Sequence, residues 1–117
     1  MKKILTGGTF NHLHPGHEYL LKKCKELGYL VVVLAHDAHN KKPNAVKADI
    51  RKRNLEKLKI ADKIIVGHPD SFVQTVYDEK PDVIVLGYDQ KMPPDVTEEI
   101  LRRMRINVVR MGKFGDY

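Results

Sequence analysis

Leu30-Val31-Val32-Val33-Leu34-Ala35 is an unbroken apolar run with β-branched residues at its centre. A continuous run of this length, without polar alternation, predicts a strand that is covered on both faces. Ile64-Ile65-Val66 and Val83-Ile84-Val85-Leu86 repeat the pattern. Ile4-Leu5-Thr6 and Val108-Val109 supply two further candidates. We therefore expect about five strands, with parallel strands at the centre of the sheet.

Helical periodicity fills the segments between these strands. Apolar residues recur there at intervals of three and four, which places them on one face of a helix. In chain order the sets are Leu20, Leu21, Cys24 and Leu27; Ile50, Leu55 and Leu58; Val73, Val76 and Tyr77; and Ile100, Leu101 and Met104. Gly28 suits the end of the first helix. Ser71 with Gln74 resembles a capping box that opens the third. The fourth helix is expected to begin near Asp95 or Thr97.

Strand and helix thus alternate along the chain. Such alternation predicts an α/β fold, here a Rossmann-like, doubly wound, parallel five-stranded sheet with helices on both faces. A chain of 117 residues suffices for one core, so residues 1–117 are expected to form a single domain. Ligands of such sheets bind at the carboxyl ends of the strands, which directs attention to the loops there.

Composition narrows the class of protein further. Hydrophobic residues make up 42% and charged residues 31% of the chain, as in an ordinary globular protein. The apolar runs are too short to cross a bilayer or to form a signal peptide, and Cys24 is the single cysteine, so we expect a cytoplasmic protein without membrane association. A net charge of +6 favours an anionic partner: a nucleotide, a phosphorylated metabolite or RNA.

The first strand runs into Gly7-Gly8-Thr9-Phe10, where two glycines let backbone N–H groups approach phosphate oxygens. Pro15 suits the first turn of a helix whose positive end would face the same space, and Gly16 leaves room beside it. His14 and His17 are three residues apart and can point into one pocket. Imidazoles beside a polyphosphate can donate hydrogen bonds to the charge that develops during phosphoryl-type transfer.

Other interpretations of the histidines stay open at this point. His14 and His17 could serve only to start a helix and to pack. Together with His12 they spell H-x-H-x-x-H, which could also be a zinc site.

Gly8-Thr9-Phe10-Asn11 followed by His14-Pro15-Gly16-His17 resembles the signature of the cytidylyltransferase-like nucleotidyltransferases, G-T-F-D and then H-x-G-H. The resemblance implies a nucleoside triphosphate, ATP or CTP, bound with Mg²⁺. The phosphate of a small acceptor would attack the α-phosphorus and release pyrophosphate. His14 and His17 would be catalytic. Gly8, Thr9, Phe10, Asn11 and Gly16 would hold the nucleotide. Asn11 stands where the family usually has Asp, so it keeps the shape but lacks the charge.

The same resemblance assigns roles to three later loops. Lys42, or Lys41 beside it, would clamp the triphosphate and the acceptor phosphate, and Arg51 would bind phosphate oxygens. Gly87 and Asp89 would lie beside the base and ribose. The sequence Gly87-Tyr88-Asp89-Gln90 looks most like the corresponding motif of archaeal FAD synthases.

This motif favours transfer of the adenylyl group from ATP to FMN, giving FAD. CTP with glycerol 3-phosphate is the runner-up acceptor pair, and phosphopantetheine or a sugar phosphate with ATP is a further alternative. From other classes of protein, a non-catalytic nucleotide-binding module stays open, whereas RNA binding is disfavoured. Dimers are common among similar enzymes, which makes a homodimer the candidate oligomer.

The end of the chain departs from the family. Family members commonly carry a further serine- and threonine-rich helix start that closes over the triphosphate, and residues 110–117 contain neither residue type. A truncated chain, a contact supplied by a partner, or a weakened catalyst would each account for this.

Overall fold

The structure is a computed structural model that describes residues 1–41, 43–113 and 115. Within these residues the strands are β1 (Lys3–Gly8), β2 (Tyr29–Leu34), β3 (Lys63–Val66), β4 (Val83–Leu86) and β5 (Asn107–Arg110). The α-helices are α1 (Pro15–Leu27), α2 (Ala48–Leu58), α3 (Phe72–Glu79) and α4 (Glu98–Arg103), and a short 3₁₀ helix covers Asp37–His39.

All five strands pair in parallel, in the order β3-β2-β1-β4-β5. The chain therefore builds outward from β1 to β3, returns across β1, and continues with β4 and β5. This reversal between β1 and β4 is the switch point at which open α/β sheets bind ligands, outside the carboxyl ends of the strands. The predicted Rossmann-like sheet is confirmed.

Alternate residues of the central strands enter two separate hydrophobic cores. On one face Ile4 and Val32 pack with Leu21 of α1 and Leu55 of α2. On the opposite face a second cluster contains Leu5, Val31 and Val33 of the sheet, Val76 of α3, and, partly buried against it, Leu101 of α4. Helices thus cover both faces, which explains why the strands are apolar without alternation.

Side-chain caps define where the helices begin. The Ser71 hydroxyl accepts a hydrogen bond from the Gln74 N–H at 3.2 Å, as the sequence predicts. The Thr97 hydroxyl accepts one from the Ile100 N–H at 3.3 Å, so Thr97 rather than Asp95 caps α4. Gly28 follows α1 as predicted, and a Cβ there would collide with the Lys2 carbonyl.

Helix α2 departs from the predicted pattern. Ile50 was expected on the buried face, but it is 43% exposed, and the inward positions belong to Ala48, Arg51 and Leu55. Ala48, Arg51 and Leu55 are three and then four residues apart, which places them on one face of the helix, and Ile50 lies outside that face. An arginine is therefore built into the interior. Within the described part of the chain, no helix combines the length and the apolar character needed to span a membrane.

Candidate active site

Two cavities that open at the carboxyl ends of the strands share Gly8 as a lining residue, and a further cavity between Gly7 and Pro93 also reaches Gly8. The first, of about 230 Å³, is bounded by the loop after β1, the start of α1 and the loop after β4. It includes most of the predicted nucleotide residues: Gly8, Thr9, Phe10, His14, Gly16, His17, Gly87 and Asp89. The second, of about 480 Å³, lies beyond the ends of β2 and β3. We refer to them below as the histidine cavity and the second cavity.

The glycine turn is shaped by Phe10, which adopts φ 50° in the left-handed region. A bulky side chain rarely takes this conformation, and such strain concentrates at functional sites. The Phe10 ring is buried and lies 5.1 Å from the His17 ring, measured between centroids. A Cβ on Gly8 would come within 3.0 Å of the Phe10 ring, so glycine at position 8 makes room for it.

His14 and His17 form the cap of α1 and stack on each other. His14 Nδ1 accepts a hydrogen bond from the Gly16 N–H at 3.1 Å, and His17 Nδ1 accepts one from the His14 N–H at 3.3 Å. The two rings are 3.8 Å apart between centroids and nearly parallel. The signature thus combines two roles that the sequence left as alternatives, since the same histidines start the helix and line the cavity.

These caps fix the chemistry of both rings. Because each Nδ1 accepts a backbone hydrogen bond, the ring proton of each neutral imidazole resides on Nε2. Burial, together with the neighbouring His14, lowers the pKa of His17 from 6.5 to about 4. His17 is therefore a neutral Nε2–H donor near pH 7.

The lowered pKa of His17 predicts a pH dependence of stability. Between pH 6.5 and 4 the unfolded chain binds a proton at His17 that the folded chain does not, so the free energy of unfolding is unaffected above pH 6.5 and falls toward pH 4. With partial exposure discounted, the loss is about 1 kcal/mol, or about 4 °C in Tm. When Tm is measured between pH 6.5 and 4, it should fall less with decreasing pH for His17→Asn than for the wild type.

His12→Asn is the matched control for this experiment. His12 is an exposed histidine of the same loop, and its replacement should leave the slope as in the wild type. Equal slopes for His17→Asn and the wild type would contradict the assignment.

The loop after β4 is held by two side chains that the sequence did not single out for this purpose. Gln90 Oε1 accepts from the Gly87 N–H at 2.6 Å, and Gln90 Nε2 donates to the Gly7 carbonyl at 2.8 Å. Arg110 of β5 donates to the carbonyls of Gly87 and Gln90 at 2.8 and 2.7 Å. The loop that carries Asp89 is therefore tied to β1 on one side and to β5 on the other.

Arg51 lies away from both cavities. Its side chain is fully buried. Its Nε donates to the Val46 carbonyl at 2.7 Å, and its terminal nitrogens donate to the carbonyls of Thr9 and Ala35, each at 2.8 Å, and to the Asp37 carboxylate at 3.0 Å. This arrangement does not support the predicted contact between Arg51 and phosphate, because the guanidinium donates its hydrogen bonds to backbone carbonyls of two loops.

Asn11 also faces the protein rather than a cavity, and its side-chain amide bonds to Asn40 and to the Val46 backbone. Lys42 lies outside the described residues, and Lys41 beside it is exposed.

The remaining histidines divide between the solvent and the second cavity. His12 is exposed, whereas His36, His39 and His68 line the second cavity. Among residues 1–41, 43–113 and 115, no three His, Cys, Asp or Glu side chains form a group that could hold a metal ion. Cys24 is buried, and burial raises the pKa of its thiol to about 12, so the thiol is protonated and unreactive near pH 7.

Comparisons with known proteins point to one group. The cytidylyltransferase-like family model matches residues 5–114. The chain is 41% identical to the FAD synthase of Aciduliprofundum boonei, over 99% of this chain and 82% of that protein. It is 39% identical to the FAD synthase of Picrophilus torridus, over 96% of this chain and 85% of that protein. Among solved structures, the lipopolysaccharide core biosynthesis protein from Thermoplasma volcanium superposes with a TM-score of 0.88 at 36% identity, covering 98% of this chain and 99% of that one.

Proposed function

The chain belongs to the cytidylyltransferase-like family, and we propose that it transfers the adenylyl group of ATP to FMN, yielding FAD and pyrophosphate. The observation that carries the proposal is the pair of cavities that meet at Gly8. A transfer between two bound substrates needs two sites with one point of contact, and the backbone of Gly8 is such a point because it lines both cavities. The similarity to two FAD synthases supports FMN as the acceptor.

ATP occupies the histidine cavity in this proposal. Its triphosphate lies against the glycine turn and the N-terminus of α1, where backbone N–H groups and the helix dipole favour anions. Its nucleoside extends toward Gly87 and Asp89, which line the same cavity. Asp89 can accept hydrogen bonds from ribose hydroxyls or from the adenine amino group.

FMN occupies the second cavity. Its volume of about 480 Å³ exceeds the 230 Å³ of the histidine cavity. Phe72, Pro93 and Pro94 offer apolar walls for a planar ring system, and His36, whose Nδ1 accepts from the Ala38 N–H, can offer its Nε2–H to a polar group. The flavin phosphate then points toward Gly8.

The reaction is an in-line displacement. An oxygen of the FMN phosphate bonds to the α-phosphorus of ATP, the bond from that phosphorus to the α,β-bridging oxygen breaks, and pyrophosphate leaves with the electron pair. No protein nucleophile is needed, because positioning and charge stabilisation supply the catalysis. The Nε2–H groups of His14 and His17 donate to the oxygens on which negative charge accumulates.

Mg²⁺ enters with the triphosphate in this proposal, as MgATP. Mg²⁺ in sites of this type is bound largely by the substrate phosphates and keeps several of its water ligands. A cytoplasmic setting and a homodimer stay predictions.

The direct test is product formation by the purified protein. With MgATP and FMN we expect FAD, resolved by chromatography, and pyrophosphate in equal amounts. CTP with glycerol 3-phosphate is the comparison pair. Pyrophosphate formed only from that pair would overturn FMN as the acceptor, and ATP binding without turnover of any acceptor would indicate a non-catalytic nucleotide-binding module.

Asp95 offers a separate test of where FMN binds. Its carboxylate accepts hydrogen bonds from the Ser71 hydroxyl at 3.2 Å and the Val73 N–H at 3.0 Å, which fastens the loop of Pro93 and Pro94 to the start of α3. Asp95→Ala releases this wall of the second cavity. Loss of charge-assisted hydrogen bonds should raise the KM for FMN about tenfold and leave the KM for ATP within about twofold.

Thr97→Ala is the control for Asp95→Ala. Thr97 caps α4 two residues further along the chain and lines neither cavity. Its replacement should leave both KM values unchanged. A rise in the KM for ATP, rather than for FMN, in Asp95→Ala would place FMN elsewhere.

A further inference from the structure

Asn11 and Asn40 face each other in a reciprocal amide pair. Asn11 Nδ2 donates to Asn40 Oδ1 at 3.0 Å, and Asn40 Nδ2 donates to Asn11 Oδ1 at 2.7 Å. Asn40 is 7% exposed, so the pair is shielded from competing water. Such a ring of two hydrogen bonds needs an amide on both sides, because each partner must donate and accept.

The pair belongs to a larger tether between the loop after β1 and the residues that follow β2, which are described over 36–41 and 43–47. Asn11 Oδ1 also accepts from the Val46 N–H at 3.0 Å, and Asn40 Nδ2 donates to the Val46 carbonyl at 3.3 Å. Asn11 therefore binds that segment at two points, the Asn40 side chain and the Val46 backbone. Arg51 binds the Val46 and Thr9 carbonyls and so joins the same two loops.

The tethered segment forms one wall of the second cavity. His36 and His39 line that cavity, and His39 directly precedes Asn40 along the chain. Asn11 and Asn40 line neither cavity themselves. The tether can thus act on a ligand of the second cavity through His36 and His39, without touching that ligand.

An aspartate at position 11 would not sustain this arrangement. It would keep the acceptor for Asn40 Nδ2 and the Val46 N–H. It would also set a carboxylate oxygen against Asn40 Oδ1 at the position of the present 3.0 Å hydrogen bond. Two acceptors facing each other away from solvent are unfavourable. Asparagine at position 11, where the family usually has aspartate, is therefore the residue type that can pair with Asn40.

We propose that Asn11, through its amide pair with Asn40, is a positioning residue for the acceptor cavity and not a ligand of the nucleotide. This inference rests on the proposed assignment of FMN to the second cavity. It assigns Asn11 and Asn40 to the same function, although they lie 29 residues apart in the sequence.

The test compares Asn11→Asp and Asn40→Asp with Asn44→Asp. All three changes are isosteric and add one negative charge, and Asn44 is an exposed residue of the same loop whose φ of 61° either residue type tolerates. Steady-state kinetics with ATP and FMN are measured for each variant. Trypsin cleavage after Lys41 or Lys47 is followed separately, because release of the loop increases local opening of the chain and speeds cleavage whether or not the enzyme turns over.

We expect Asn11→Asp and Asn40→Asp each to lower kcat/KM for FMN about tenfold, with the KM for ATP within about twofold, and to be cleaved about tenfold faster. Asn44→Asp should match the wild type in both assays. Two results would overturn the proposal: a raised KM for ATP in Asn11→Asp alone, or an Asn40→Asp variant that behaves like Asn44→Asp. If the wild type made no FAD, the FMN assignment would fail, while the cleavage rates would still decide whether the pair holds the loop.

Discussion

His14→Asn is expected to lower kcat by about 10²–10³, the effect of removing one preorganised donor from a charge-stabilising site. In the wild type His14 Nδ1 accepts a hydrogen bond from the Gly16 N–H. Asparagine keeps an acceptor oxygen at the position of this nitrogen. Asparagine is also among the preferred residues at a helix N-cap. The variant loses the Nε2–H but retains the start of α1, so the measurement isolates the chemical role of the ring.

Steady-state FAD formation and urea unfolding should be measured together for this variant. We expect the free energy of unfolding to stay within about 1 kcal/mol of the wild type while turnover collapses. A kcat within a few-fold of the wild type would show that His14 serves the helix and not the reaction. His14→Ser, whose hydroxyl can also accept from the Gly16 N–H but does not reach the position of Nε2, should repeat the result of His14→Asn.

Arg51→Ala is expected to lower the free energy of unfolding by about 3–5 kcal/mol, because it removes a fully buried side chain together with its four hydrogen bonds. It also leaves the carbonyls of Thr9, Ala35 and Val46 without their hydrogen bonds from Arg51. Each unsatisfied buried polar group costs about 1–3 kcal/mol. Such a loss is a large part of the stability of an ordinary domain, about 5–15 kcal/mol in total.

Arg53→Ala provides the comparison on the same helix. Arg53 is exposed on α2, and its replacement should change the free energy of unfolding by no more than about 0.5 kcal/mol. If Arg51 instead bound substrate phosphate, Arg51→Ala would unfold at nearly the same urea concentration as the wild type and would show mainly a raised KM. Equilibrium unfolding therefore separates the two roles before any kinetic measurement.

Arg51 and Asn11 show where sequence reasoning reaches its limit in this chain. Both were predicted to contact the nucleotide, through a family resemblance in which position implies role. In the structure both side chains form hydrogen bonds with protein groups of neighbouring loops. The resemblance identifies the position in the loop or helix correctly, but the direction of a polar side chain depends on which other loop passes near it.

Local pattern was sufficient for the sheet, the starts of α1 and α3, and the histidine pair. A strand buried on both faces has to be apolar throughout, so residues 30–35 indicate a central strand without further information. Residues 14–17 are close enough along the chain to form their own cap, and the side chains of the signature are therefore oriented by the helix that they start.

The sequence by itself determined the α/β fold, the cavity built around His14 and His17, and the class of reaction. Only the tertiary structure decided that Arg51 and Asn11 fasten loops together, that Gln90 reaches Gly7 across 83 residues of sequence, and that a second cavity meets the first at Gly8. The physical reason is the range of the interactions. Periodicity and capping act within a few residues and can be read from spacing, whereas a hydrogen bond between loops forms only where the folded chain brings its two partners together.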